Sequence, residues 1–458
     1  MPEIPLGTSS HNRSTVWDPN VRVVNYLIEQ SSTNQIDGVN HIQRAGMPLF
    51  TTVGTGPIRG MFRQAGTFSG DFIAVSGEEL YRFDESTGDP TLIGEVEGSD
   101  LTTFAATSVR AILTGDGNAY STDGSTITTV VMPDDRLVSS VAQLNGYFIL
   151  TERNSARFYW IEPGQTDPDG LSYATTESTP GFNRRVVRVG DELWFMKEEG
   201  VEVWVPTGDA DLPFERVPGR NYDKGCINGD TAVRFDNTLG WVGNDDIWYI
   251  GANVPTRISD NALEEQIRKS SEFDMRSWSF ALDGHTLLCL TLTDATYVYD
   301  ALSQQITEFR SYGHPIWRGH VGDTGARSVL TGDYLTGKIY RLDPEVYNDD
   351  GDPLERIQVG GITLPGGSQA CDSLDLYVTT GTTPDPSLYP KVRIRWSDDM
   401  QTYNDWRDVS QGRQGRYGRR VRLTRLGRIY SPGRLFEFLI SDNCVATISA
   451  AAYNVPLS

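Results

Sequence analysis

An all-β fold built from repeated strand units is predicted for this 458-residue chain by its composition, a recurring strand motif and a near lack of helical periodicity. Apolar residues make up 38% and aromatics 10%, enough to fill a core, while 46 glycines and 23 prolines leave little room for long helices. The length allows two or three domains, or one repeat array with an addition.

The repeat is carried by a short polar turn that feeds a strand bearing an aromatic. It reads SGEELYRF from Ser76, TGDGNAYS from Thr114, TERNSARFYW from Thr151, KEEGVEVW from Lys197, GNDDIWYI from Gly243, TDATYVYD from Thr293 and LTGKIYRL from Leu335. The aligned aromatics Tyr81, Tyr120, Tyr159, Trp204, Trp248, Tyr299 and Tyr340 are spaced by 39, 39, 45, 44, 51 and 41 residues. A period near ~40 residues with three or four strands per unit is that of a β-propeller blade, which cannot bury both its faces until a ring of blades closes. A further strand precedes each unit and fits the innermost strand of a blade: PIRGMFRQAG, LTTFAATSVRA, RLVSSVAQLNG, RRVVRVGDE, DTAVRFDNT, RSWSFALDG and WRGHVGDTG. The prediction is an all-β chain with a β-propeller of about seven blades over 56–357, an extended N-terminal segment over 1–55 and a C-terminal β-sandwich-like module over 358–458.

The N-terminal segment has weak periodicity and interleaved turn residues, so it reads as an extended arm or a strand lent to another module. One stretch has helical spacing, DNALEEQIRKSSEF, with Asp260 or Ser259 as N-cap and Leu263 and Ile267 on one face. It reads as an insertion between blades. From Gln358 the texture changes: LDLYVTTG, KVRIRWSDD, RVRLTRLGRI, FEFLISD and VATISAAAYNV are the strands of the C-terminal module.

Several motifs invite chemistry, and each has a plainer reading. GNDD has the residues of a metal loop, but lacks the further oxygen ligands and closing Glu of a calcium site. Gly, Asn and Asp make it a hairpin turn. SDDMQTYNDW from Ser397 resembles a sialidase-type Asp box, itself a turn motif. His314 and His320 flank PIWRG without a third ligand at metal spacing. Asp209, Asp211 and Glu215 are carboxylates of the kind glycoside hydrolysis uses, and equally the residues of a surface loop. No phosphate-binding loop, nucleophile elbow, zinc-protease or dinucleotide motif is present. No catalytic residue, cofactor or metal is expected. The run RQGRYGRRVRLTRLGR places Arg413, Arg416, Arg419, Arg420, Arg422, Arg425 and Arg428 in sixteen residues. It fits a protein interface, a solvated strand face or phosphate contacts, and the first reading is favoured.

The formal charge is −21, which opposes tight binding of nucleic acid or anionic membranes by the chain as a whole. The charge is uneven: from Gln358 onward 12 basic and 9 acidic residues give +3, leaving −24 for the remainder. Cys226, Cys289, Cys371 and Cys444 are far apart and form no CxxC pair, as in a chain folded under reducing conditions with buried thiols. The N-terminus lacks an apolar signal core, and no run approaches the ~20 apolar residues of a membrane span. A soluble, unanchored protein is expected.

An ordered set of segments resembles one family, the packaged-DNA stabilisation or tail hub (nozzle) proteins of short-tailed, podovirus-type phages. They are LNGYFILT at Leu144, VEVWVPTGDADLPFERVPG at Val201, KGCINGD at Lys224, DNTLGWVGNDD at Asp236, RISDNALEEQI at Arg257 and GHTLLCLTLTDATYVYD at Gly284. The long RIRWSDDMQTYNDWRDVSQGRQGRYGRRVRLTRLGR at Arg393 follows, then FEFLISD and ISAAAYNV. The resemblance implies a structural virion protein, not an enzyme, made in the host cytoplasm and built into the tail. It implies a homo-hexameric tube below the portal and its adaptor ring that retains packaged double-stranded DNA and conducts it during ejection. Tail fibre, tailspike or needle proteins would be its other neighbours. Six copies would carry 6 × −21 = −126, a wall along which DNA slides without sticking. The competing reading is a tail-associated propeller that binds or degrades polysaccharide, favoured by the abundant Tyr and Trp and the acidic pairs. A cellular WD-type scaffold ranks last, for want of repeating WD or GH dipeptides.

Overall fold

The computed structural model describes residues 2–11, 19–31, 38–209, 211–251 and 254–454. The chain divides into two compact units, one of Leu49–Thr293 with Arg318–Arg341, the other of Met1–Pro48, Asp294–Trp317 and Leu342–Ser458.

The first unit is the propeller. Its seven innermost strands are Ile58–Phe62, Phe104–Ala106, Val138–Leu144, Asn183–Val189, Val233–Phe235, Arg276–Leu282 and Gly319–Thr324. They coincide with the seven inner strands read from the sequence. The last lies against the first, where the buried His320 imidazole donates from Nε2 to the Ile58 carbonyl at 2.7 Å. Five consecutive antiparallel sheets of four strands follow the chain: 58–95, 104–129, 138–175, 183–222 and 233–257. A sixth is completed from far away, because Leu49–Thr52 pairs antiparallel with Lys338–Leu342 (Thr52 opposite Lys338) as its outermost strand. Arg276–Leu282 and His285–Thr291 form a hairpin in this unit, whereas Thr296–Asp300 and Ile306–Phe309 group with the other.

Each sheet is covered on both faces, which is why its central strands are apolar at nearly every position instead of alternating. Tyr147–Glu152 and Glu192–Lys197 are buried from their second residue onward. Phe158, Trp160 and Leu144 of one sheet pack with Phe195, Trp204 and Phe214 of the next. Burying each such side chain is worth about 1.5–3 kcal/mol. Turns between strands are closed by aspartates: the Asp84 carboxylate accepts the N–H groups of Ser86 (2.8 Å) and Thr87 (3.1 Å), and Asp123 those of Ser125 (2.9 Å) and Thr126 (2.8 Å). Among the described residues the one α-helix is Asn261–Lys269, with Asp260 accepting the Leu263 N–H at 2.8 Å and Leu263 and Ile267 buried.

The second unit is a β-sandwich. One sheet runs Tyr26–Gln30, Val39–Gln43, Ile448–Asn454, Ser373–Val378, Val421–Thr424 in spatial order. The other contains Thr296–Asp300, Ile306–Phe309, Val23–Val24, Arg356–Thr363, Gly433–Ile440, Lys391–Ser397 and Arg407–Ser410. Tyr26, Ile28, Leu374, Phe436, Phe438 and Tyr453 share its core. Within the N-terminal stretch, Val23–Val24, Tyr26–Gln30 and Val39–Gln43 add to the sandwich sheets, and Leu49–Thr52 completes a propeller sheet.

Candidate functional site

Two places gather polar side chains. The first is the mouth of the propeller axis, a cavity of about 540 Å³ at the N-terminal ends of the inner strands. Its charges are largely compensated. The buried Arg59 guanidinium donates to the carbonyls of Gly77 (2.8 Å), Val96 (3.0 Å), Glu97 (3.1 Å) and Asp100 (2.8 Å). Arg153 lies 3.3 Å from Asp100 and 3.8 Å from Asp116. Burial pushes the Asp230 carboxyl up, against the pull of Arg185. Burial lowers the His320 imidazole to about 3, so it is neutral at physiological pH. This is a polar, roughly neutral wall with no nucleophile–base pair among the described residues.

The second place is the arginine run. Val421–Thr424 is the edge strand of its sheet, and Leu376 opposite Val421 sets the register. Positions 420 and 422 then fall on one side of the strand, since side chains alternate. Both guanidinium groups reach the buried Asp375, each through Nε and Nη2 at 2.7–2.8 Å. Burial opposes ionisation of Asp375, but the hydrogen bonds and charges of Arg420 and Arg422 outweigh it and hold the carboxyl below its usual range. The preceding turn rests on the neighbouring loop: Gly415 N–H donates to the Gly381 carbonyl at 3.0 Å, and the Thr380 hydroxyl to the Tyr417 carbonyl at 2.7 Å. Arg416 and Arg419 both pass over Gly412, where a Cβ would stand 3.0–3.4 Å from their stems. Arg419 Nε donates to the Ser410 carbonyl at 2.9 Å. Arg413, Arg416 and Arg419 are exposed. Arg425 sits beyond the strand at φ 64°, while Arg428 opens the next strand, Arg428–Tyr430, opposite Ala370, and donates to the Ser368 hydroxyl at 2.9 Å. The sequence reading did not pick out Asp375; its only signal is one acid in the strand LDLYV.

The other motifs resolve into structure. In GNDD, the Gly243 N–H donates to the Ile247 carbonyl at 2.8 Å and Asp246 adopts φ 63°. Asp245 accepts the Tyr249 hydroxyl at 2.7 Å and pairs with Lys224 at 3.1 Å. The stretch is a strand-to-strand turn. In SDDMQTYNDW, Asp399 accepts N–H groups from Gln401 (2.9 Å) and Thr402 (2.6 Å) and the Ser397 hydroxyl (2.7 Å), which hold it well below the usual carboxylate range. Asp209, Asp211 and Glu215 are exposed, and Asp209 spends one oxygen on the Asp211 N–H at 2.9 Å. His314 is half-buried in a loop of the sandwich unit and His320 is on a propeller inner strand. Among the described residues no group of three His, Cys, Asp or Glu is placed to hold a metal, and no helix is long and apolar enough to cross a membrane. All four cysteines are buried and free; burial raises the thiols of Cys226 and Cys444 to about 11, which keeps them unreactive.

A ring of blades and a sandwich define a β-propeller protein with a β-sandwich module. The family model for the bacteriophage P22 Gp10 β-propeller matches residues 24–347, and that for the bacteriophage P22 Gp10 β-sandwich matches residues 362–455. The chain belongs to this family of phage structural tail proteins. No curated protein matches it. Among solved structures it is similar to the β-propeller domain of Cps50 (Swd1) from Myceliophteria thermophila, with 10% identity, TM-score 0.44, 64% of this chain and 98% of that one covered. It is also similar to the extracellular domain of the one-component system protein BT4673 from B. thetaiotaomicron, with 8% identity, TM-score 0.45, 94% of this chain and 62% of that one covered.

Proposed function

We propose that this protein forms the nozzle of a short phage tail: six copies in a ring below the portal and its adaptor, retaining packaged DNA and conducting it during ejection. Family membership is the observation that carries the reading. The charge supports it, because a −21 subunit repeated around a channel repels phosphate and lets a duplex slide. The adaptor ring, and a fibre, tailspike or needle, would be its neighbours, and it would be made in the host cytoplasm before joining the particle. No enzymatic step is assigned to it.

The test is DNase-protected DNA in particles assembled without this protein. Heads that fill and then leak are expected. Heads that keep their DNA yet fail to adsorb would instead favour polysaccharide binding. An isolated subunit is expected to be a monomer that assembles only on its neighbour, and stable hexamers of the purified protein in sedimentation would count against that.

A further inference from the structure

We propose that the surface built by Arg413, Arg416, Arg419, Arg420 and Arg422 around Asp375 docks a carboxylate-rich protein surface of a neighbouring virion component; this rests on the tail-protein reading above.

The surface is concentrated and ordered. Residues 413–428 hold seven arginines with no lysine and no acid, in a chain whose net charge is −21. Two arginines share one buried carboxylate, so the trio carries a net positive charge with its guanidinium planes fixed. Asp375 takes the Nε and Nη2 groups of both, which leaves each Nη1 to donate elsewhere. The turn that carries Arg413, Arg416 and Arg419 is held by backbone hydrogen bonds and by contact with Gly381, so these groups lose less freedom on binding than arginines on a loose loop. Beside them Tyr417 is 72% and Tyr377 38% exposed.

Arginine with tyrosine, and without lysine, is the composition of a protein-contact centre. The planar fork matches a carboxylate in two-point fashion, which a lysine cannot do. A phosphate would satisfy the same fork, but a long polyanion must also approach the rest of a −21 chain, whereas a protein patch need only meet this edge. Those facts favour an acidic protein over nucleic acid.

The experiment adds purified protein to phage particles made without it and measures co-sedimentation. Wild type is expected to bind, more weakly as salt rises. R413E/R416E/R419E is expected to bind at least about tenfold less, and R413K/R416K/R419K to fall between the two, since charge is kept and the fork is lost. Poly-L-glutamate is expected to displace wild type, and a short DNA duplex at equal charge to do so less well. That competition needs no variant, so a misfolded mutant does not obscure the answer. Wild-type binding with an unaffected Glu variant, or with no displacement by poly-L-glutamate, would overturn the docking surface and leave the nozzle reading standing. Stronger displacement by the duplex would overturn the partner class. Wild type that does not bind the particles at all would sink the nozzle reading instead.

Discussion

The propeller unit and the sandwich unit meet the same problem, the unpaired strand edge, in opposite ways. The propeller closes: its inner strands line an axis, its last inner strand lies against its first, and residues 49–52 complete the final sheet. The sandwich stays open at Val421–Thr424 and guards that edge with fixed arginines. Charge follows the same division. The propeller unit has 23 basic against 39 acidic residues, the sandwich unit 17 against 22, with its positive charge concentrated at one edge. The ring leaves as edges only the short outermost strands of its sheets. The sandwich edge at Val421–Thr424 carries its charge locally, and that is where the proposed contact surface lies.

The largest expected effects test whether the two units are separate stability units at all. Each holds a buried ion pair. In the propeller, Lys197 and Glu202 lie 3.3 Å apart, both fully buried, with Lys197 also donating to the Thr176 carbonyl at 2.8 Å and Glu202 accepting the Ser178 N–H at 2.7 Å. In the sandwich unit, Arg44 grips Asp349 through two bonds of 3.0 and 2.6 Å and donates to Asn25 at 2.8 Å. Glu202→Ala and Asp349→Ala each strand a buried cation and should cost about 3–5 kcal/mol. Scanning calorimetry should show each variant lowering a different transition. One common transition, lowered equally by both, would break the comparison.

A smaller effect is expected at Gly381, at φ 74°, where a Cβ would come 2.7 Å from the Arg416 backbone. Gly381→Ala should cost about 1–2 kcal/mol through strain and close contact. It should also loosen the 413–418 turn without removing any charge. Faster amide exchange there is the expected result; unchanged exchange would mean that Gly381 does not hold the arginine surface in place.

What the sequence disclosed follows from the range of each signal. Tyr81, Tyr120, Tyr159, Trp204, Trp248, Tyr299 and Tyr340 each fall on the strand that follows the polar turn, because turn chemistry and strand propensity are local. The same period marks the sixth unit: Thr296–Asp300 and Ile306–Phe309 pair antiparallel and fall within the span of the β-propeller family model, while their grouping by compactness with the sandwich unit is a matter of packing that no period encodes. Leu49–Thr52 is short, has no buried residue and pairs with a strand 286 residues on (Thr52 opposite Lys338), so nothing in LFTT announces its place. The arginines were visible as a run; that two of them converge on Asp375, 45 and 47 residues earlier, was not.

The smallest effect sharpens how the ring is latched. Glu85, in a turn of the first blade, accepts the N–H groups of Ala326 (2.7 Å) and Arg327 (2.9 Å) and the Ser328 hydroxyl (2.9 Å), all from the last blade. Burial opposes its charge, but those donors outweigh it and leave the carboxyl below its ordinary value. A depressed carboxylate stabilises the fold fully above its unfolded pKa of about 4.3, and that contribution is lost as pH falls through the lower folded value. Because the site is partly solvated, the contribution should be under about 1 kcal/mol. Wild type should therefore unfold at higher denaturant than Glu85→Gln at neutral pH, with the gap closing as the solution is acidified below the folded pKa. A gap that persists unchanged in acid would mean that shape, not the carboxylate charge, holds the first blade to the last.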